Sequence, residues 1–253
     1  MRFLRSPLSP LLVACLACLP LSSLADEPTD GSYWGLGLAV SASQRPYRDA
    51  DNETRALPLL MFENRWVRVA GAGIYLKLPS AGPVSFALRA RYAFDGYEAD
   101  DAPILNGMAE RKSSLWLGGA ARWQNPIANL SAEWLGDGSG HSKGQQFKLQ
   151  LDRSFRAGDV ELTPRVAAIW LDRKYVDYYY GVAASEAAAG RPFYEGDASV
   201  NAEVGVRAVY SLAPRHALTL DVGATRLGGS IKDSPLVERH NLSRVSFGYV
   251  YRF

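Results

Sequence analysis

Cysteine and histidine are scarce in this chain of 253 residues. The only two cysteines, Cys15 and Cys18, lie in the first 25 residues. The three histidines are His141, His216 and His240, and no two of them stand at metal-ligand spacing. Beyond residue 25 the sequence therefore excludes disulfides and thiolate metal sites. We expect neither a metal nor a cofactor.

An excess of one charge is also missing. The chain contains 28 basic and 26 acidic residues, a formal net charge of +2. The first 25 residues contribute two arginines and no acid, so the remainder is formally neutral. Proteins that bind nucleic acid usually present a basic excess, and we expect no nucleic-acid partner here.

Long apolar runs are absent after residue 25, so no transmembrane helix is predicted. The N-terminus differs, because two arginines precede an apolar run from Leu11 to Leu19, and small residues precede a cleavage point after Ala25. This pattern predicts a signal peptide over residues 1–25 and a mature domain over residues 26–253. The alternative is a lipoprotein box that would place a lipid on Cys15.

The C-terminal segment alternates with a period of two. Its aromatic residues stand at every second position, and arginine, glycine and serine occupy most of the positions between them. A period of two indicates a strand with one apolar face. The segment resembles the terminal strand of outer-membrane barrels, where the last aromatics serve as an assembly signal. The residues assigned to that signal are Phe247, Tyr249, Tyr251 and Phe253.

Similar alternation recurs along the chain, and charged residues such as Arg89 and Arg91 keep to one parity. Arginines in mid-strand suit a polar barrel lumen better than a packed core. A soluble β-sandwich is the alternative, but short turns alternating with long polar loops favour an antiparallel transmembrane β-barrel. The further strand segments are 34–41, 84–94, 114–123, 128–134, 147–152, 160–171, 199–210 and 218–225.

The connections predict the orientation and the strand count. Tight turns should face the periplasm, and the long polar loops Asp95–Lys112, Gly136–Lys143, Asp172–Asp197 and Gly228–Arg239 should face outside. If the C-terminus lies in the periplasm and successive strands alternate in direction, Ala56–Leu78 must be one long, bent strand. The barrel then has ten strands. If a hairpin forms at Glu63-Asn64-Arg65 instead, twelve becomes possible.

Two outer loops contain candidate interaction residues. The first is acidic and would attract cations or cationic peptides, or would simply keep the loop solvated. The second contains three successive tyrosines, which form either an aromatic contact patch or a layer packed over the barrel mouth. The acidic residues are Asp95, Glu98, Asp100 and Asp101, and the tyrosines are Tyr178, Tyr179 and Tyr180.

A serine hydrolase is a further alternative. His141 and Ser142, with Glu133 on the neighbouring strand, are the only residues that could form a catalytic triad. Adjacent residues on a strand point to opposite faces, so the pair would need a loop conformation to meet. A solvated glycine-rich loop is the simpler interpretation, and no catalytic residues are assigned.

Several segments resemble the MltA-interacting protein (MipA/OmpV) family. These are Asp177–Val182 followed by Glu186, Arg191 and Tyr194, then Asp233–Val237, Gly107-Met108 with Arg111, and the closing Tyr251-Arg252-Phe253.

The resemblance implies an outer-membrane β-barrel without catalysis of its own. It also implies a scaffold role between a murein lytic transglycosylase and a murein synthase, while family members are associated as well with adhesion and envelope stress. Besides outer-membrane lipid, the expected partners are therefore periplasmic murein enzymes, which would meet short turns bearing Arg156 and Arg215. A surface receptor that binds ligands through the outer loops is the alternative.

Overall fold

The computed structural model describes residues 32–253. The expected signal peptide, the alternative lipid site on Cys15 and residues 26–31 lie outside the described residues. Within them antiparallel strands make up most of the regular structure, as the alternation predicts. The strands are β1 Tyr33–Ser43, β2 Glu53–Glu63, β3 Val67–Ala70, β4 Gly73–Ala81, β5 Val84–Ala93, β6 Ser114–Trp123, β7 Asn129–Asp137, β8 Gln145–Asp152, β9 Phe155–Ala157, β10 Val160–Leu171, β11 Ser199–Ala213, β12 His216–Arg226 and β13 Asn241–Arg252.

Twelve of these strands close into a barrel. Each pairs with its neighbour in sequence, β8 pairs with β10, and β13 returns to pair with β1. The short β9 only extends the base of β10. Closure leaves no sheet edge along the seam between the first and last strands, which a sheet in a membrane requires. The all-β membrane barrel is therefore confirmed.

The expectation of one long strand over Ala56–Leu78 is wrong. That stretch contains most of β2, all of β3 and most of β4, and the barrel therefore has twelve strands rather than ten. The reason lies in two tight turns. Asn64 Oδ1 accepts hydrogen bonds from the backbone N–H groups of Trp66 and Val67, at 2.8 and 2.7 Å, and Gly71 adopts a positive φ of 57°.

The two faces of the sheet differ as the sequence pattern requires. Outward residues are mainly aliphatic in the middle of the wall, and aromatic residues mark both ends. The short-turn end, where Phe253 N–H bonds to the Trp34 carbonyl at 2.9 Å, also holds both described chain ends. Its outward aromatics are Trp34, Trp66, Trp123, Phe155, Tyr210 and Tyr249, and those near the other end are Tyr92, Trp134, Phe147 and Trp170.

The long loops lie together at the other end of the barrel. They contain two short helices, α1 Arg173–Tyr180 and α2 Gly229–Lys232, and single 3₁₀ turns at Pro103–Leu105 and Ala184–Glu186. Neither helix in residues 32–253 has the length and apolar character to span a membrane.

Candidate functional sites at the cap, the lumen and the periplasmic rim

The outer loops fold into a cap with its own apolar core. The lower layer of the cap is formed by α1, whose Val176 and Tyr179 are buried against the inward residues Trp116 and Leu135 at the top of the barrel. A second cluster above it joins residues of four loops, including Tyr47, Leu105, Val182 and Leu236. The mouth of the barrel is therefore covered by packed protein.

Helix α1 holds the tyrosine run in place. Asp172 caps its N-terminus by accepting a hydrogen bond from the Tyr175 N–H at 2.8 Å. At its C-terminus the Gly181 N–H bonds to the Asp177 carbonyl, and a side chain at Gly181 would collide with that carbonyl. The sequence prediction treated this segment as loop. The spacing of Tyr175, Val176 and Tyr179, which gives one apolar helix face, was the signal that could have identified the helix.

The three tyrosines lie within the cap. Tyr179 is only 1% exposed, and its hydroxyl donates to the Lys112 carbonyl at 3.1 Å. The Tyr178 hydroxyl accepts from the Lys112 N–H at 2.8 Å, and the half-buried ring of Tyr180 lies 6.0 Å from that of Tyr47. Of the two arrangements considered from the sequence, the structure therefore has the one in which the tyrosines pack over the mouth of the barrel.

An ion pair fastens the cap. Arg111 donates from one guanidinium nitrogen to both carboxylate oxygens of Glu186, at 2.8 and 3.0 Å, and from Nε to the Tyr178 carbonyl at 2.8 Å. Glu186 also accepts from the N–H groups of Ala109 and Ala183, at 2.9 and 3.1 Å. Burial acts to raise the pKa of Glu186, but these hydrogen bonds outweigh it and hold that pKa below its ordinary value.

A second arginine binds the loops through backbone carbonyls. Arg191, 5% exposed, donates to the carbonyls of Glu186, Ile104 and Asn106. The Tyr194 hydroxyl donates to the Ser230 carbonyl at 2.6 Å. The loop residues that carried the family resemblance thus converge on the cap, whereas Tyr251-Arg252-Phe253 lies at the opposite end of the barrel. From the sequence alone, Arg111, Glu186 and Arg191 had no assigned role.

The acidic loop does not present four free carboxylates. Asp95 lies under α1 and accepts from the Tyr175 hydroxyl at 3.2 Å, and burial raises its pKa. Asp101 pairs with Arg45 at 3.1 Å. Glu98 and Asp100 are exposed. Half of the predicted acidic set is therefore engaged in holding the cap.

The centre of the lumen is filled by paired charges. Arg122, 1% exposed, donates to both oxygens of Asp152 at 3.1 and 2.8 Å. Arg165, 2% exposed, donates at 3.0 Å to Glu203 and to both oxygens of Asp221. At the level of these arginines the barrel is a packed interior.

The residues of the hydrolase alternative are not brought together. The Ser142 hydroxyl donates to Asp137 at 2.9 Å, and His141 Nδ1 lies 3.0 Å from the Ser113 carbonyl. Glu133 faces the lumen and pairs with Arg89. Asp137 also accepts several backbone N–H groups of its loop, so this carboxylate organises a turn. Residues 32–253 contain no cluster of histidine and acidic side chains suited to a metal.

The periplasmic rim is small and basic. Arg156 and Arg215, the residues singled out from the sequence, are both exposed. Arg156 pairs with Glu161 at 3.0 Å, and Arg215 lies between residues that line a shallow cavity of about 310 Å³. The exposed Arg153 adds a further cation to the same end.

The proposed assembly residues lie in the second half of β13, with Phe253 directly after its last residue. Phe247 and Tyr249 point to lipid, and Tyr249 contacts His216 through a 2.7 Å hydrogen bond. The ring of Tyr251 meets that of Phe253 edge-on at 5.0 Å. Phe253 is 64% exposed and remains accessible at the rim.

The chain is similar to several known proteins. The chain is 25% identical to the "Putative outer membrane protein YiaT" of Escherichia coli (strain K12), over 95% of this chain and 98% of the relative. It is also 25% identical to the "MltA-interacting protein" of the same strain, over 96% and 99%. An outer-membrane channel from Pseudomonas putida F1 aligns with a TM-score of 0.48 at 12% identity, covering 93% of this chain and all of the channel.

The names of several relatives are consistent with the structure. YiaT of Escherichia coli and Omp26La of Vibrio anguillarum are named as outer-membrane proteins, putatively so for YiaT, and this chain forms an outer-membrane β-barrel. The model of the family described as MltA-interacting protein MipA matches residues 36–253, which include every strand of the barrel except the first residues of β1. The chain is therefore a member of the MltA-interacting protein MipA family and a protein of the outer membrane.

Proposed function

We propose that this protein is a non-catalytic scaffold that recruits murein-remodelling enzymes to the inner face of the outer membrane. Family membership over nearly the whole barrel carries the proposal, since a full-length relative is named for its interaction with MltA. The partners proposed here are a murein lytic transglycosylase and a murein synthase.

The closed interior of the barrel favours a role as a docking surface over a role as a channel. The mouth is covered by the cap, and the arginines at the centre of the lumen are almost inaccessible to water. A barrel of this kind holds its surface turns in fixed positions. Fixed turns lose little conformational entropy when a partner binds, which favours docking on a small surface.

The charged and apolar side chains at the periplasmic rim indicate what kind of surface a partner should present. Arg153, Arg156 and Arg215 place positive charge at the periplasmic end, and Ile127, 76% exposed, adds an apolar contact. The partner should therefore present an acidic patch with an apolar centre. Rim charges mainly set the rate of encounter and its salt dependence, so we expect a weak, salt-sensitive complex.

The test compares two double variants of the purified protein in detergent, each checked for barrel assembly. Arg156→Ser with Arg215→Ser should weaken binding to the transglycosylase about tenfold and flatten its salt dependence. Glu98→Gln with Asp100→Asn changes the same number of charges at the cap and should leave binding unchanged. Arg156→Lys with Arg215→Lys, which keeps the charge, should retain most of the affinity.

A surface receptor is the second candidate function, and the exposed cap residues Glu98, Asp100 and Phe193 favour it. In that case the cap variant would lose binding of a cationic peptide while the rim variant would not. Loss of transglycosylase binding in the cap variant alone would overturn the scaffold proposal.

A further inference from the structure

The shallow cavity at the periplasmic end of the barrel lies beside an irregular hairpin. Strands β11 and β12 form that hairpin, and their register shifts between Ser211 and Ala213, which leaves Leu212 as an extra residue. A β-bulge of this kind bends a strand and redirects its side chains. The bulged hairpin forms one wall of the cavity, and the turn before β10 and the end of β13 complete it.

Two opposite charges line this cavity. Asp159 contributes a carboxylate from the turn before β10, and Arg252 contributes a guanidinium from the last residue of β13. Both residues are exposed, and neither forms an ion pair within residues 32–253. The nearby Arg156 pairs with Glu161 instead of Asp159. The cavity therefore presents one anion and one cation that the protein itself does not neutralise.

Backbone hydrogen bonds fix both residues at the rim. The Asp159 carbonyl accepts from the Ser211 N–H at 2.9 Å, and the Arg252 N–H donates to the Arg215 carbonyl at 2.8 Å. Strands β10, β11, β12 and β13 are successive neighbours in the sheet, so three inter-strand spacings, about 14 Å, separate the two backbones. Because both side chains line the cavity, the two charges face an interval that a small ligand can span.

The rest of the lining also suits a small ligand. His216 uses Nδ1 in a 2.7 Å hydrogen bond with the Tyr249 hydroxyl, which leaves Nε2 for a ligand. Leu212, 48% exposed, and Pro214 add apolar surface. Ligand sites commonly have volumes of about 300–1,000 Å³, so a cavity of about 310 Å³ fits one small group of a larger molecule.

We propose that this cavity binds a group that contains both an ammonium and a carboxylate, with the ammonium at Asp159 and the carboxylate at Arg252. Charge-assisted hydrogen bonds are stronger than neutral ones, and a guanidinium matches the two oxygens of a carboxylate. An uncrosslinked murein peptide presents both groups on the free end of its diamino acid. The protein thus binds murein itself beside the enzymes that remodel it. The choice of murein rests on the proposed function, whereas the charge pattern of the cavity does not.

Calorimetric titration of the full chain in detergent with a synthetic, uncrosslinked murein tetrapeptide tests the proposal. Acetylation of the free amine of the diamino acid should weaken binding about fivefold, as expected for the loss of one exposed ion pair. Asp159→Asn should weaken binding of the unmodified peptide by the same factor and leave binding of the acetylated peptide unchanged, because both changes remove the same interaction. Arg252→Gln should weaken binding of both peptides.

Matched controls change the same charges at the other end of the barrel. Asp51→Asn and Lys143→Gln, both in exposed loops of the cap, should leave peptide binding unchanged. The free diamino acid lacks the peptide that contacts the apolar lining and should bind more weakly than the tetrapeptide.

Three outcomes would overturn the proposal. The first is equal weakening of both peptides by Asp159→Asn, and the second is binding of the free diamino acid as tight as that of the tetrapeptide. The third is binding of phosphatidylethanolamine, which also has an ammonium beside an anion, without any response to the tetrapeptide. No enzyme is present in this titration, so its result and the transglycosylase-binding result can fail independently.

Discussion

The ion pair between Arg111 and Glu186 gives the most specific stability prediction, which the variant Glu186→Gln tests. One Glu186 oxygen accepts from Arg111 and Ala183, and the other accepts from Arg111 and Ala109. Glutamine replaces one of these acceptors with an NH₂ group that faces two donors. Hydrogen bonds to charged groups contribute about 1.5–3 kcal/mol each, so after allowance for partial exposure we expect the cap to lose about 2 kcal/mol.

Hydrogen exchange measures this loss locally, because the barrel itself should remain folded. A loss of about 2 kcal/mol corresponds to a roughly 30-fold rise in the opening equilibrium. The amides of Ala109 and Ala183 should therefore exchange about 30 times faster in Glu186→Gln. Arg173→Ser removes an ion pair with Glu195 in the same cap, but both side chains are exposed, and it should change exchange little. Unchanged exchange at Ala109 and Ala183 in Glu186→Gln would refute the claim that this ion pair stabilises the cap.

The same carboxylate predicts a pH dependence. The folded-state pKa of Glu186 is lowered, so its stabilisation is fully present above the unfolded-state pKa, near 4.3, and is lost as the pH falls through the folded-state value. The wild-type cap should loosen below about pH 4. Glu186→Gln should lack this acid-induced step, and an identical pH profile in the two proteins would contradict the assignment.

Three further predictions concern assembly, catalysis and the lumen. Deleting Phe253 removes the end of the aromatic register and should lower outer-membrane levels of the protein, measured by fractionation; normal levels would exclude an assembly signal. Ser142→Ala should leave envelope lipid composition unchanged by mass spectrometry, and a lost lipid modification would revive the hydrolase reading. Arg165→Ala removes the arginine that Glu203 and Asp221 share and leaves them paired with Lys148 and Arg207. It should destabilise the barrel by about 1–3 kcal/mol, measured as a lower temperature for the loss of the gel mobility shift; an unshifted temperature would contradict the packed lumen.

Strand alternation predicted most of the wall because lipid and lumen impose opposite polarity on successive residues. The alternation gave the segments around Arg89, Glu203 and Phe247 correctly, since each contains one strand with a single parity. It failed between Ala56 and Leu78, where parts of three strands, one of them only four residues long, are joined by tight turns. In that stretch the side-chain turn of Asn64 and the positive φ of Gly71 decide the path, and neither affects apolar periodicity.

The cap could be predicted only in part. Its polar composition marked it as external loop, but its stability depends on residues far apart in sequence, such as Arg111 with Glu186 and Ser234 with Tyr180. A single sequence gives no signal for such pairs.

Site-specific photo-crosslinking in intact envelopes tests the scaffold proposal most directly. A photoreactive residue is placed at Ile127 on the periplasmic rim or at Phe193 on the cap, both exposed. We expect adducts with murein-remodelling enzymes from Ile127 and none from Phe193. Adducts with those enzymes from neither position, or ligand adducts from Phe193 alone, would contradict it and place the function at the cell surface.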